Sequence, residues 1–189
     1  MSTVHHITFP VLSTERTLLR QLNYCDAASI FKLRSDEIVN QFLDRPKTQS
    51  LEEATNFIEK INAGIMNHEW FYWAISLRND PSLLIGTICL WNFSGDRSVA
   101  EIGYELDPGY QGKGFMQEAA DAILGLAFTK IKLATIKAYT HINNNHSSKL
   151  LRKFGFKIKS NIEASGGTCA EFKNMVIYVL NANESGIKK

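Results

Sequence analysis

Residues 100–116, Ala-Glu-Ile-Gly-Tyr-Glu-Leu-Asp-Pro-Gly-Tyr-Gln-Gly-Lys-Gly-Phe-Met, constrain this chain more than any other stretch. The first half alternates. Ile102, Tyr104 and Leu106 fall on one face of a strand, and Glu101, Gly103 and Glu105 fall on the other. Asp107-Pro108-Gly109 stops the strand, because proline has no N–H and glycine permits a turn. Gly112-Lys113-Gly114 then opens a helix. Its apolar residues Ala119, Ala120, Ile123, Leu124, Ala127, Phe128 and Ile131 recur at offsets of three and four. Strand, glycine loop and helix N-terminus in that order make an anion site. The first helical N–H groups lack partners inside the helix, the dipole adds positive character, and glycine lets a ligand come close. A pyrophosphate suits it.

The residues narrow the choice of pyrophosphate. A dinucleotide fingerprint needs a third glycine where Gln117 stands, and a P-loop needs Ser or Thr where Gly114 follows Lys113. The kinase glycine loop joins two strands, whereas this one enters a helix. Tyr110-Gln111-Gly112-Lys113-Gly114-Phe115-Met116-Gln117-Glu118-Ala119 instead resembles the acyl-CoA loop of the GNAT N-acetyltransferases, most of all their ribosomal-protein N-terminal branch. A second stretch, Asn144-Asn145-His146-Ser147-Ser148-Lys149-Leu150-Leu151-Arg152-Lys153-Phe154-Gly155-Phe156, resembles that family's other signature. Read physically, Asn144 or Asn145 can cap a helix, Leu150, Leu151 and Phe154 form its apolar face, and Gly155 ends it. Thr14-Glu15-Arg16-Thr17-Leu18-Leu19-Arg20 is similar to the family's opening, which extends the resemblance to about residues 14–180. Two departures concern loop packing. Gly109 stands where many relatives carry Gln or Arg, and Gln111 where the branch carries Trp.

A chain of 189 residues with 44% hydrophobic and 21% charged residues is expected to form one domain with a sizeable core. A net charge of +2 and the lack of any long basic run argue against a nucleic-acid partner. The cysteines Cys25, Cys89 and Cys169 are scattered and odd in number, and the histidines show no ligand spacing. We therefore expect no metal, no disulfide framework and a reducing cytoplasm. The absence of a leader or a long apolar run predicts no membrane association. Oligomeric state stays open between monomer and homodimer.

In order, the pattern predicts a strand over 14–22 and a helix over 27–34 capped by Asp26. A short helix over 37–43 follows, then one from Ser50 to Met66 opened by a Ser50/Glu53 capping box. Strands follow at 70–77, 83–92 and 99–106, then the helix 115–131, a strand at 134–142 and a helix at 147–154. Two last strands, 156–162 and 174–180, are joined through Gly166-Gly167. Antiparallel strands followed by strand–helix–strand–helix give an α+β fold with a mixed, mostly antiparallel sheet. The resemblance implies the GNAT architecture, with helices on both faces and strands 99–106 and 134–142 running parallel and splaying apart. It also places the acceptor site under the helices between residues 27 and 66. The aromatic run Trp70–Trp73 reads as core plus one wall of the acceptor cleft.

The resemblance implies acetyl-CoA as cosubstrate and a primary amine as acceptor. For the phosphates the expected holders are the main-chain N–H groups from Gln111 through Gly112, Lys113, Gly114 and Phe115 to Met116, with Lys113 adding charge. Leu106 and Asn144 complete the expected CoA contacts. Glu101 is the candidate base, directly or through water, and its other reading is an ion-pair partner of an arginine. Glu105 is the second candidate base. Ser147 matches the motif serine expected to protonate the leaving thiolate, with Tyr104 and Tyr139 as weaker candidates. A protein N-terminal α-amine is the favoured acceptor, ahead of a small-molecule amine and of a CoA-binding module without catalysis.

Overall fold

In a computed structural model, residues 9–43, 45–161 and 174–186 are described, 160 and 161 by main chain alone. Eight strands form one sheet: β1 (Leu12–Ser13), β2 (Thr17–Arg20), β3 (Phe71–Leu77), β4 (Asp80–Trp91), β5 (Val99–Leu106), β6 (Thr135–His141), β7 (Lys157–Asn161) and β8 (Met175–Asn181). Their order is β1-β2-β3-β4-β5-β6-β8-β7. Only β5 and β6 run parallel. They pair at Val99–Thr135, Ala100–Ile136 and Glu101–Lys137 and then part. From Ile102 to Leu106 the far edge of β5 has no strand partner, while β6 continues on β8. The parallel pair and its splay match the architecture that the resemblance implies.

The helices are α1 (Ala27–Ser35), α2 (Glu37–Asn40), α3 (Leu51–Met66), α4 (Phe115–Leu126) and α5 (Asn145–Lys153). They divide between the two faces. Ile123, Leu124 and Ala120 of α4 and Leu151 of α5 pack with Ile102, Leu106, Phe71, Trp73 and Ile136. On the other face, Ile30 and Leu33 of α1 and Ile58 and Ile61 of α3 pack with Tyr72, Ala74 and Leu84. The alternation read along β5 is borne out: Ile102 and Leu106 join the α4 core, and Cys89, the cross-strand partner of Gly103, joins the other.

Several boundaries differ from expectation. The first strand splits into β1 and β2, with Thr14 folded back onto Thr17. Asp26 does not cap α1. Asn23 caps a short 3-10 turn ahead of it, and the buried Asp26 carboxylate takes two hydrogen bonds from Arg20 at 2.7 and 2.8 Å. α2 stops at Asn40. The β3–β4 turn tightens to Arg78-Asn79, because Leu77 pairs directly with Asp80. The long helix changes to a π-helical turn over Ala127–Ile131, ended by left-handed Lys132. α5 starts two residues early, because Asn144 caps it through Ser147 N–H at 3.0 Å. Ser50 caps α3 as expected, accepting from Glu53 N–H at 3.1 Å, but the box closes one residue early, with Glu53 accepting from Gln49 N–H at 2.8 Å. Gly155 (φ +82°) ends α5 as expected. The Gly166-Gly167 join and Cys169 lie outside the described residues.

Candidate active site

The glycine loop sits at the end of β5. Gly112 (φ +72°) and Gly114 (φ +84°) adopt the left-handed conformation that other residues avoid, and Gly114 is the N-cap of α4. Nothing lies within 4 Å of where a Gly112 Cβ would be. The first intrahelical bond at this end runs from Glu118 N–H to Gly114 O. The N–H groups of Phe115, Met116 and Gln117 therefore precede the helix's own bonding. Gln111 departs from the expected set: its N–H already donates to Pro108 O at 3.2 Å. Its side chain instead donates to Leu106 O at 2.9 Å, tying loop to strand. Leu106 thus has a buried side chain and an engaged carbonyl. The Lys113 ammonium folds onto Gly109 O at 2.7 Å.

A staple from the turn between β1 and β2 holds the loop. Arg16 donates from Nη1 to Lys113 O at 3.0 Å, pairs through Nε with Glu118 Oε2 at 2.8 Å and lies 4.5 Å over the Phe115 ring. Glu118 Oε1 also accepts from the Arg16 N–H at 2.7 Å and from the Thr14 hydroxyl. Burial pushes the Glu118 carboxyl up, but these bonds outweigh it and hold it below the usual carboxylate value. Thr14, Arg16 and Glu118 entered the sequence reading only as parts of motifs. Their contact across about a hundred residues has no local signal.

On the α4 side of the splay, Tyr104 OH and Ser147 Oγ lie 2.9 Å apart, joining β5 to the first turn of α5. Burial pushes the Tyr104 phenol up to about 12, against the pull of the Ser147 bond, so it carries its proton at neutral pH. Asn144 spends its Oδ1 on the Ser147 N–H.

The opposite face of β5 carries the carboxylates. Glu101 is half-buried. Burial raises its carboxyl above the usual value, and an Asn92 Nδ2 bond at 2.7 Å and nearby Lys137 oppose the rise. The arginine partner considered for Glu101 is not its contact. That role falls to Glu105, which is buried and accepts from Arg45 Nη2 at 2.5 Å and from the Thr87 hydroxyl at 3.2 Å, with Arg34 Nη1 at 3.8 Å. Thr87 in turn accepts from Tyr72 OH at 2.9 Å. Of the aromatic run, Phe71 and Trp73 are core, and Tyr72 alone reaches this wall. Tyr139, another candidate acid, points to this face, as the cross-strand neighbour Lys137 does, away from Ser147. Between the carboxylates, Gly103 leaves no room for a side chain: a Cβ there would press on Cys89 Sγ at 3.2 Å and meet Trp91 Nε1 at 3.7 Å. The Cys89 thiol is pushed by burial up to about 12, which keeps it protonated. The segment after α2 roofs this side: Arg45 reaches β5, and Phe42 stacks on His141 of β6 at 5.3 Å. Arg34, Arg45, Thr87 and Asn92 were not singled out from the sequence, because each comes from a different segment.

Glycines with open N–H groups before a helix, beside an unpaired strand edge, form a cradle of the kind that a CoA pyrophosphate and its pantetheine arm would need. A model for the "Acetyltransferase (GNAT) domain" matches residues 16–157. The chain belongs to the GNAT acetyltransferase family. It is 33% identical over 149 residues to the "Uncharacterized N-acetyltransferase YoaA" of Bacillus subtilis, covering 79% of this chain and 84% of the relative. It is 32% identical over 146 residues to YnaD of the same organism, covering 77% and 82%. In fold it is similar to a GNAT acetyltransferase from Bacillus anthracis (TM-score 0.78, 24% identity, 93% and 100% covered). It is also similar to RimL, a ribosomal L7/L12 alpha-N-protein acetyltransferase (TM-score 0.75, 18% identity, 92% and 93% covered). Among the described residues no helix is long and apolar enough to cross a membrane, and no three His, Cys, Asp or Glu gather as a metal site.

Proposed function

We propose that this chain, an acetyl-CoA-dependent N-acetyltransferase of the GNAT family, transfers acetyl to a protein N-terminal α-amine by direct attack within a ternary complex. The observation that carries the reading is the pair of proton-handling groups on opposite faces of β5: Glu101 on one, Tyr104 with Ser147 on the other. Acetyl-CoA supplies the acyl group already activated as a thioester. The main-chain N–H groups from Gly112 to Met116 hold its pyrophosphate, with Lys113 adding charge, and Asn144 and Leu106 border the arm. Glu101 takes a proton from the amine as the N–C bond forms. As the C–S bond breaks, Ser147 donates its hydroxyl proton to the sulfur and takes one from Tyr104, and Tyr104 regains a proton from solvent as Glu101 releases the amine's proton to solvent. A glutamate is a weak base, and an α-amine of pKa roughly 7.7–8.0 asks less of it than a lysine at about 10.4. The protonated state of Cys89 supports direct attack over an acyl-cysteine relay. Glu105, with both oxygens taken, serves better as a wall than as a base.

Likeness to RimL and to a ribosomal-protein-S5-alanine acetyltransferase from Vibrio fischeri supports a protein N-terminus. A second reading, a small-molecule amine, is favoured by the roof that Phe42 and Arg45 make over the acceptor side. We read the chain as one domain on the strength of its single continuous sheet, and its scattered, odd cysteines fit a reducing cytoplasm. The test is thiol release from acetyl-CoA over three sets of acceptors: peptides with a free N-terminus, the same peptides blocked there with one internal lysine, and small amines. Preference for the first set supports the proposal. Equal rates on the first two reject it, and turnover on small amines alone supports the second reading. An acetyl-CoA melting shift with no turnover on any set would leave only a binding module.

A further inference from the structure

The wall around Glu105 holds more positive charge than it needs. Arg34 and Arg45 both converge on this one buried carboxylate. Arg45 is well seated, with Nε donating to Asn40 Oδ1 at 2.9 Å and Nη2 to Glu105 at 2.5 Å. Arg34 is not. Its Nε is buried with no hydrogen-bond partner among the described residues. Its nearest carboxylate oxygen is 3.8 Å away, beyond a hydrogen bond, and its guanidinium rests on the Phe57 ring at 3.9 Å. Burial and then the like charge of Arg45 both disfavour its charged form, and Glu105 opposes them only in part. Two guanidiniums sharing one carboxylate in a water-poor setting are short of an anion. Their planar donors suit a carboxylate or a phosphate.

This surplus lies on the Glu101 face of β5, under the same roof. Gly103, without a side chain, separates it from Glu101. Glu101 and Glu105 lie four residues apart, roughly 13 Å along the strand. That is about the reach from an extended peptide's α-amine to the side-chain carboxylate of its fourth residue.

We propose that Arg34 and Arg45 form an anion subsite of the acceptor cleft, so that the preferred acceptor carries a carboxylate or phosphate roughly 13 Å from the amine it presents. This rests on the transferase reading above and deepens it.

The experiment uses matched acceptors in the thiol-release assay: a Ser-Ala-Ala-Asp-initiated peptide against its Ser-Ala-Ala-Asn twin, and the small amine 10-aminodecanoate against 10-aminodecanamide. The peptide arm and the small-amine arm distinguish the two sources of the anion. In at least one arm the anionic member should have a kcat/KM about tenfold or more higher, mostly through KM. Arg34→Met keeps the apolar packing on Phe57 and removes the charge. It should bring the anionic member down to its neutral twin, and Arg34→Lys should restore part of the gap. Equal kcat/KM within both pairs, or a preference that survives Arg34→Met in a folded protein, overturns the subsite. A readout independent of turnover is calorimetry on CoA-saturated protein with N-acetyl-Ser-Ala-Ala-Asp-amide and N-acetyl-Ser-Ala-Ala-Asn-amide, and with the acetylated small amines. The anionic member of at least one pair should bind about tenfold tighter, and equal affinities in both pairs overturn the subsite. Failure of all turnover would sink the transferase reading and leave this binding ratio to decide the subsite.

Discussion

The glycine loop and the acceptor-facing wall of β5 border the same splay but are built in opposite ways. The loop offers main-chain N–H groups, and its conformation comes from two left-handed glycines in one short run. The wall offers side chains: Arg34, Arg45, Tyr72, Thr87 and Glu105 arrive from α1, the segment after α2, β3, β4 and β5. A main-chain site tolerates most side-chain changes and binds one invariant group. A side-chain site can be rebuilt one residue at a time. On the proposed reading, cofactor binding and acceptor choice are therefore separable in this molecule.

The sharpest way to break that division is Glu101→Gln. It should cost roughly 10²–10⁴-fold in kcat at pH 7 while leaving the acetyl-CoA melting shift in place. Because burial raises the Glu101 carboxyl, the parent's activity should fall on the acid side at a pH above 4.5, where glutamate ordinarily titrates. That limb should be absent in Glu101→Gln. Turnover within about threefold of the parent, with the fold intact, would remove Glu101 from the chemistry.

Gly114→Val attacks the other side. The left-handed φ strains any β-branched residue, and a Cβ would meet Arg16 Nη2 at 3.3 Å. The parent should gain about 2.7 kcal/mol from acetyl-CoA at a hundred times its Kd, a rise in Tm of roughly 5–10 °C. The variant should lose it. A retained shift would place the phosphates elsewhere.

Ser147→Ala and Tyr104→Phe should each lower kcat about tenfold, less than Glu101→Gln, because each leaves the other hydroxyl at the splay. The double variant should fall further than either. If the double variant equals the parent, the thiolate leaves without protein help.

Arg16→Met should be the mildest. Its side chain is 43% exposed, so screening limits the pair, and a rise of about fivefold in the KM for acetyl-CoA at unchanged kcat is expected. The held-down Glu118 carboxyl adds a pH sign. Its stabilising bonds are complete above its ordinary 4.5 and fade as pH falls through its lower folded value. A melting curve against pH should show this, and Glu118→Gln should flatten it.

What was legible in the sequence follows the same division. The loop, the Asn144 cap, Gly155 and the alternation along β5 were readable because neighbouring residues decide them. Asp26 was misread as a cap because an aspartate before a helix looks the same whether it turns to the helix or to Arg20. Glu101 and Glu105 could not be told apart, since both sit on one face of one strand. Only the arrival of Arg45 and Thr87 from distant segments separates them. The splay itself is a loss of pairing, and no residue type encodes it.

The three-rung seam between β5 and β6 also bears on cooperativity. It divides the sheet into two leaves, β1 to β5 and β6 to β7, joined over Val99–Glu101 by little more main-chain bonding than a single hairpin. The smaller leaf can then open without carrying the larger one along, as a partial unfolding unit. Acetyl-CoA, which we propose to lie between the leaves, would bind only when both are closed and so stabilise the joint state over either leaf alone. Amides of Thr135–His141 should then exchange with solvent through a cheaper opening than those of Phe71–Leu77 in the free protein. With acetyl-CoA bound, the two sets should converge.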